Sequence, residues 1–288
     1  MNKYFVTILM LSVGLCSFAQ LKEGVIEFNY KLSPVASDDV ALQNSNLYIE
    51  VPTTVGQGVL THAFTADYNL YDYLATTPFN TEDLNTFYNL KYQLEYKYPL
   101  TNSINIHAQA NAAIMSTLNQ NIIGDDFFFG GGLYVSKTNT AESKPSVLKL
   151  GISYSSITGK PTYLPIISYE KIVNSRLSYK IGFPEAEIIY GLSEVSKVRL
   201  SLNTNGYYAN ISKPLYINID HVAEKAKISS TNLGLQYQYK MDNSWSIKLG
   251  AEYALKNSYK LENNNNTVYN FNVSSKPAFS TGIIYNLK

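Results

Sequence analysis

His107 is the side chain in this sequence best suited to moving a proton. It stands in the row Asn105, His107, Gln109, Asn111, polar at every second position, and an imidazole titrates near neutrality and activates a neighbouring hydroxyl. No serine or carboxylate stands at a spacing that assigns it to His107, so a membrane-embedded hydrolase is only the minor reading. His62 shares alternate positions with Leu60 and Phe64, and His221 lies in a polar stretch. Asp125 and Asp126 open the segment DDFFFGGGLY. Two carboxylates fall short of a hard-cation cage, and three glycines with no following lysine are not a phosphate loop. The sequence therefore leads to no catalytic residue, no metal and no cofactor.

Charge offers a different chemistry. Lys91, Gln93, Glu95 and Lys97 fall on alternate positions, as do Gln236, Gln238 and Lys240, and Lys248 with Glu252. Rows of mixed sign like these, together with His107, are the candidate lining of a lumen. They line a weakly selective aqueous path or plug it with ion pairs. Only Arg176 and Arg199 are arginines, and the formal net charge is +1, so nothing steers the chain toward nucleic acid.

The rows need strands to present them. From Tyr88 to Tyr98 the chain alternates Tyr88, Leu90, Tyr92, Leu94, Tyr96, Tyr98 with Asn89, Lys91, Gln93, Glu95, Lys97. A helix of 3.6-residue period would smear both sets around its circumference. The same alternation places Ile26 to Leu32, Leu148 to Tyr154, Leu177 to Phe183, Leu233 to Tyr239, Trp245 to Leu255 and Phe279 to Leu287 on single faces. Several runs reach 11 residues or more, the length a tilted membrane strand requires (about 9 to 11), whereas strands of soluble sandwiches run about 5 to 6. Tyrosine leads the aromatics, with 25 Tyr against 12 Phe and 1 Trp, which suits girdles at a membrane interface. A soluble β-sandwich is the rival reading.

Short turns, PLTNSI, IVNSRL and MDNSWS, alternate with longer polar loops such as Tyr71 to Asp83 and Leu261 to Thr267. Short turns on one rim and long loops on the other are expected of a bacterial barrel, with the short turns and both termini in the periplasm. The reading is an all-β fold: a single antiparallel up-and-down transmembrane β-barrel of about 12 strands, with 14 as the alternative. Gly182 and Pro184 within GFPEAE read as a bend or bulge inside a strand.

The chain opens MNKYFVTILMLSVGLCSFAQ, a basic start, an apolar core and small residues, which describe a signal peptide cleaved after Ala19. A lipoprotein signal acylated at Cys16 is the alternative, against which bulky Leu15 argues. Cleavage removes Cys16, the only cysteine, and leaves 20–288 as one barrel domain with no disulfide or thiol chemistry.

Lys160 to Tyr208, with LPIISY and IGFPEAEIIY inside it, and LGLQYQYKMDNSWSIKLGAEY after it, resemble a family of outer-membrane barrels from Bacteroidota, domain of unknown function 6268. The resemblance implies a barrel exported to the cell outer membrane, with no activity or site residues to carry over. Outer-membrane lipid is the expected surrounding partner, and the barrel assembly machinery the partner during biogenesis. The leading functional expectation is a passive channel or small-solute transport protein. A closed barrel serving as scaffold or surface-interaction protein is the alternative.

Overall fold

The computed structural model describes residues 24–33, 40–74, 76–139, 144–271 and 273–287. The expected signal peptide and its cleavage point lie outside them.

In chain order the strands are β1 (Val25–Ser33), β2 (Val40–Val55), β3 (Gly58–Tyr73), β4 (Thr86–Pro99), β5 (Ile104–Ser116), β6 (Phe127–Asn139), β7 (Ser146–Ser155), β8 (Thr162–Ile172), β9 (Leu177–Phe183), β10 (Glu185–Gly191), β11 (Ser196–Tyr216), β12 (Val222–Lys240), β13 (Trp245–Asn263), β14 (Asn266–Phe271) and β15 (Pro277–Asn286). Each pairs antiparallel with its sequence neighbour from β1 through β13, and β13 then pairs with β15. The ring closes where β15 meets β1, from Val25 opposite Asn286 to Leu32 opposite Phe279. β14 pairs only with β13. Among the described residues the barrel wall thus has 14 strands, with one extra strand, β14, beside β13.

The tight turns form for a local reason. Asn174 accepts hydrogen bonds from the backbone N–H groups of Arg176 and Leu177, both at 2.8 Å. Asp242 does the same for Ser244 and Trp245 at 2.7 and 2.8 Å, and Thr101 for Ser103 and Ile104 at 3.2 and 3.0 Å. These are side-chain turns in which a short acceptor replaces a missing backbone partner. They share one rim with the Val55–Gly58 connection, where Gly56 takes a φ of 59°.

Outside, the wall is apolar. Leu133, Leu150, Ile152, Leu235 and Leu249 are exposed, between Tyr98, Tyr169, Tyr239 and Trp245 toward the short-turn rim and Tyr68, Tyr163 and Tyr253 toward the other. An encircling apolar belt edged by aromatics is a surface for lipid rather than water.

One sequence expectation is corrected. GFPEAE is not a bend within one strand. Pro184 is the tip of a hairpin between β9 and β10, each only 7 residues long, because a residue with no N–H ends the ladder there. That tip is a one-residue connection on the long-loop rim. The stretch Leu215 to Asp220 lies at the far end of β11. It finishes β11 and turns through a side-chain acceptor, Asn218, bonded by the N–H groups of Asp220 and His221 at 2.9 Å.

Candidate functional site

The register sends Lys91, Gln93, Glu95 and Lys97 inward beside Ala113, Asn111, Gln109 and His107 of β5. On the opposite wall Gln236, Gln238, Lys248 and Glu252 line a cavity of about 400 Å³ with Glu27, Asn29, Lys31, Arg199 and Asn203. Lys91, Gln93, Glu95, Lys97 and His107 thus form one group on the lumen wall, and Gln236, Gln238, Lys248 and Glu252 another.

Most lumen charges are partnered across strands. Lys149 meets Glu170 at 2.8 Å, Lys180 meets Glu185 at 2.8 Å, Arg199 meets Glu187 at 3.4 Å and Lys31 meets Glu252 at 3.6 Å. Lys248 reaches over Gly282 of β15, which has no side chain to obstruct it, to pair with Glu27 of β1. Asp67 accepts from Asn46 at 2.8 Å and Asn89 at 3.0 Å. A lumen lined this way is polar but has little net field to select ions by sign.

Glu95 forms a separate centre. His107 Nδ1 lies 2.9 Å from its Oε1, Tyr134 donates to the same oxygen at 2.7 Å, and Gln109 donates to Oε2. The other imidazole nitrogen is 2.9 Å from Ser136 Oγ. Acid, imidazole and hydroxyl stand in the order of a hydrolase triad, which sequence spacing could not show because Ser136 comes from β6, one strand beyond. Tyr134 lies flat on His107 with ring centroids 4.2 Å apart, and Ser136 is only 3% exposed. The packing makes this a lock between β4, β5 and β6. Glu95→Ala is expected to lower stability by about 1 to 3 kcal/mol by leaving buried donors unsatisfied, measured by urea unfolding of the detergent-folded barrel.

Toward the long-loop rim the inward rows change character. Tyr71, Leu84, Phe87, Met115, Ile211, Tyr259, Leu261 and Phe271 are all buried in one cluster. The Tyr71 hydroxyl meets that of Tyr207 at 2.8 Å, and Tyr73 meets Tyr259 at 2.7 Å. By the shorter way around the ring β3 is six strands from β11 and four from β13, so these contacts cross the lumen. Phe87 stands edge-on to Tyr71, with centroids 5.7 Å apart at 90°. β11 also leans over the opening: Asn210 pairs with Ser116 of β5, Thr117 N–H donates to the Asn210 carbonyl at 3.1 Å, and Asn210 Nδ2 donates to Asp126 at 2.8 Å. Asp126 is thus spent as an anchor for β11, with its second oxygen 2.7 Å from the Ile123 N–H. The mouth on this side is shut.

The cluster escaped sequence reading, although one signal existed. At Tyr71 with Tyr73 the inward row of β3 turns apolar while alternation continues. His62 faces outward with its Nδ1 2.7 Å from the Tyr92 hydroxyl, and His221 bonds Asn218 at 3.0 Å. Neither joins the lumen.

No curated protein matches the chain. Among solved structures it is similar to the KdgM porin in complex with disordered oligogalacturonate, at 9% identity over 92% of this chain and 99% of that one, with TM-score 0.41. The translocator domain of autotransporter NalP from Neisseria meningitidis is similar at 8% identity over 98% and 94%, with TM-score 0.38. Pseudomonas putida OprB is similar at 8% identity over 96% of each chain, with TM-score 0.41. Likenesses this low add nothing to the closed barrel already described. Residues 69–288 match the sequence model of domain of unknown function 6268, well over half of the chain, and the chain belongs to that family.

Proposed function

We propose that the protein is an outer-membrane transport barrel for small solutes, entered from the periplasm at the short-turn rim and held shut at its outer mouth in the state seen. The polar, charge-paired cavity of about 400 Å³ between β1 and β10–β13 is the observation that carries it, because a barrel that served only as a scaffold has no need of a hydrated interior. The test is planar-bilayer conductance of the folded protein with the mouth cluster intact and with it cut away. Steps only after cutting support the reading, and silence in both overturns it.

Pairing of the lumen charges has a consequence for selectivity. A mouth-opened barrel is expected to show a reversal potential near zero across a salt gradient. Lys248→Glu, which sets a second carboxylate beside Glu27, should move it toward cation selectivity.

The shut mouth itself favours a second reading, a closed barrel acting through its long loops as a scaffold or surface-interaction protein. Conductance that never appears, even with the cluster removed, moves the weight to it. A hydrolase reading rests on Ser136, His107 and Glu95. The buried serine is expected to stay unlabelled by a fluorophosphonate, and labelling abolished by Ser136→Ala would reverse that assignment.

A further inference from the structure

The wall is not equally tall all round. At about 3.3 Å per residue and a tilt near 40°, the 7 residues of β9 and of β10 rise roughly 18 Å, against an apolar band of roughly 25 Å. Their hairpin stops where Phe183 pairs with Ile167 of β8 and Glu185 with Asn203 of β11. Above it β8 continues through Ile166 to Thr162 with β7 as its one strand partner, and β11 continues through Thr204 and Asn205 to Gly206 with β12 as its one strand partner there. Three strand spacings of about 4.8 Å separate the two edges at the hairpin tip, a gap of about 14 Å.

The gap has a frame. Its sill is Pro184, whose carbonyl accepts from the Thr204 N–H at 3.2 Å. Its apex is the β7–β8 loop, which presses backbone to backbone on β11. A Cβ placed on Gly206 would lie 2.7 Å from the Ile157 carbonyl oxygen and 2.9 Å from the Gly159 nitrogen. Lys160 of that loop is tied to the buried Glu262 at 3.3 Å. Outward-facing Ile167 and Ile181 below the gap and Tyr163 beside it are well exposed, which sets the opening within the lipid belt.

Unpaired strand edges are not tolerated against hydrocarbon unless they line a cavity. Here they do: Glu185, Asn203 and Asn205 line the lumen cavity, and Asn205 is exposed although its row points inward. The β8 side of the frame turns Leu164 and Ile166 inward instead. One jamb is therefore amide and carboxylate, the other aliphatic.

We propose that this window is a lateral portal through which amphipathic molecules pass between the lumen and the outer leaflet, with the polar end along Asn203 and Asn205 and the apolar part along Leu164 and Ile166. The proposal deepens the transport reading by naming a solute class and a route that leaves the outer mouth shut, and it rests on that reading's placement of the belt in a membrane.

The test uses the full chain in a Trp245→Phe background, which removes the only tryptophan. Asn205→Trp is compared with Leu249→Trp on the lipid face and Gln236→Trp on the lumen face of the intact wall. Each is reconstituted in phosphatidylcholine vesicles with brominated or unbrominated chains. The expected result is loss of most Asn205→Trp and Leu249→Trp emission in brominated lipid while Gln236→Trp stays bright. Asn205→Trp as bright as Gln236→Trp overturns the portal and spares the membrane reading. Leu249→Trp also remaining bright overturns both. If Asn205→Trp lacks the heat-shifted mobility of a folded barrel, Asn205→Cys carrying a small bimane label gives the same comparison.

Discussion

Phe87→Ala combined with Tyr259→Ala is expected to turn a silent barrel into one that conducts in discrete steps. Phe87 is fully buried, and its ring lies 5.7 Å from Tyr71, 6.2 Å from Tyr207 and 6.4 Å from Tyr259, so it touches strands from both sides of the mouth. Tyr259 ties Tyr73 at 2.7 Å and stacks near Phe271 at 4.4 Å. Removing both rings empties the middle of the cluster rather than its edge. Each large-to-small change at such a site costs about 3 to 5 kcal/mol, and the two are neighbours, so their costs do not add simply. The barrel wall has its own hydrogen-bonded ring and should survive. Tyr73→Phe is the contrasting variant. It removes one hydroxyl, at a cost of about 1 kcal/mol, leaves the rings in place, and should remain silent. Conductance by both variants alike would mean that hydrogen bonds rather than ring volume hold the mouth shut.

Gly151→Val should prevent assembly altogether. Gly151 faces inward opposite Tyr134, and any Cβ built there collides with the Leu133 carbonyl and with the Cα and Cβ of Tyr134. These are backbone atoms and the root of a side chain, which cannot swing aside. Tyr134 is also the ring that covers His107 and donates to Glu95, so the collision reaches the lock between β4, β5 and β6. A branched side chain forces the two strands apart, at a cost above the about 1 to 3 kcal/mol usual for overpacking. Loss of heat-shifted mobility on a gel checks it. A folded Gly151→Val barrel with unchanged unfolding would show that the β6–β7 ladder yields easily.

The sequence was legible where alternation ran unbroken. The row from Lys91 to Lys97 faces the lumen because nothing interrupts β4 between Thr86 and Pro99. It was illegible where phase slips. On β13 the outward face from Trp245 runs to Leu255, but a bulge there sets Thr231 opposite Lys256 and Asn232 opposite Ala254. Beyond it Tyr259 and Leu261 point inward, and the mouth cluster hides in what reads as a continuing lipid face. Pro184 left the choice between 12 and 14 strands open, because a one-residue connection has no polar loop to mark it. Ser136 and Glu95 reach His107 only through the registers of β4, β5 and β6, which local pattern does not encode.

The contacts that shut the mouth join distant parts of the chain: Tyr71 and Tyr207 are 136 residues apart, Tyr73 and Tyr259 are 186 apart. The wall strands pair mostly with sequence neighbours, so their ladders can zip one hairpin at a time, whereas contacts of long separation wait on closure of a large loop. Closure of the ring itself, β15 on β1 from Val25 to Asn286, spans more of the chain still. Seal and ring therefore wait on the same late strands, and the barrel becomes tight as it becomes a barrel.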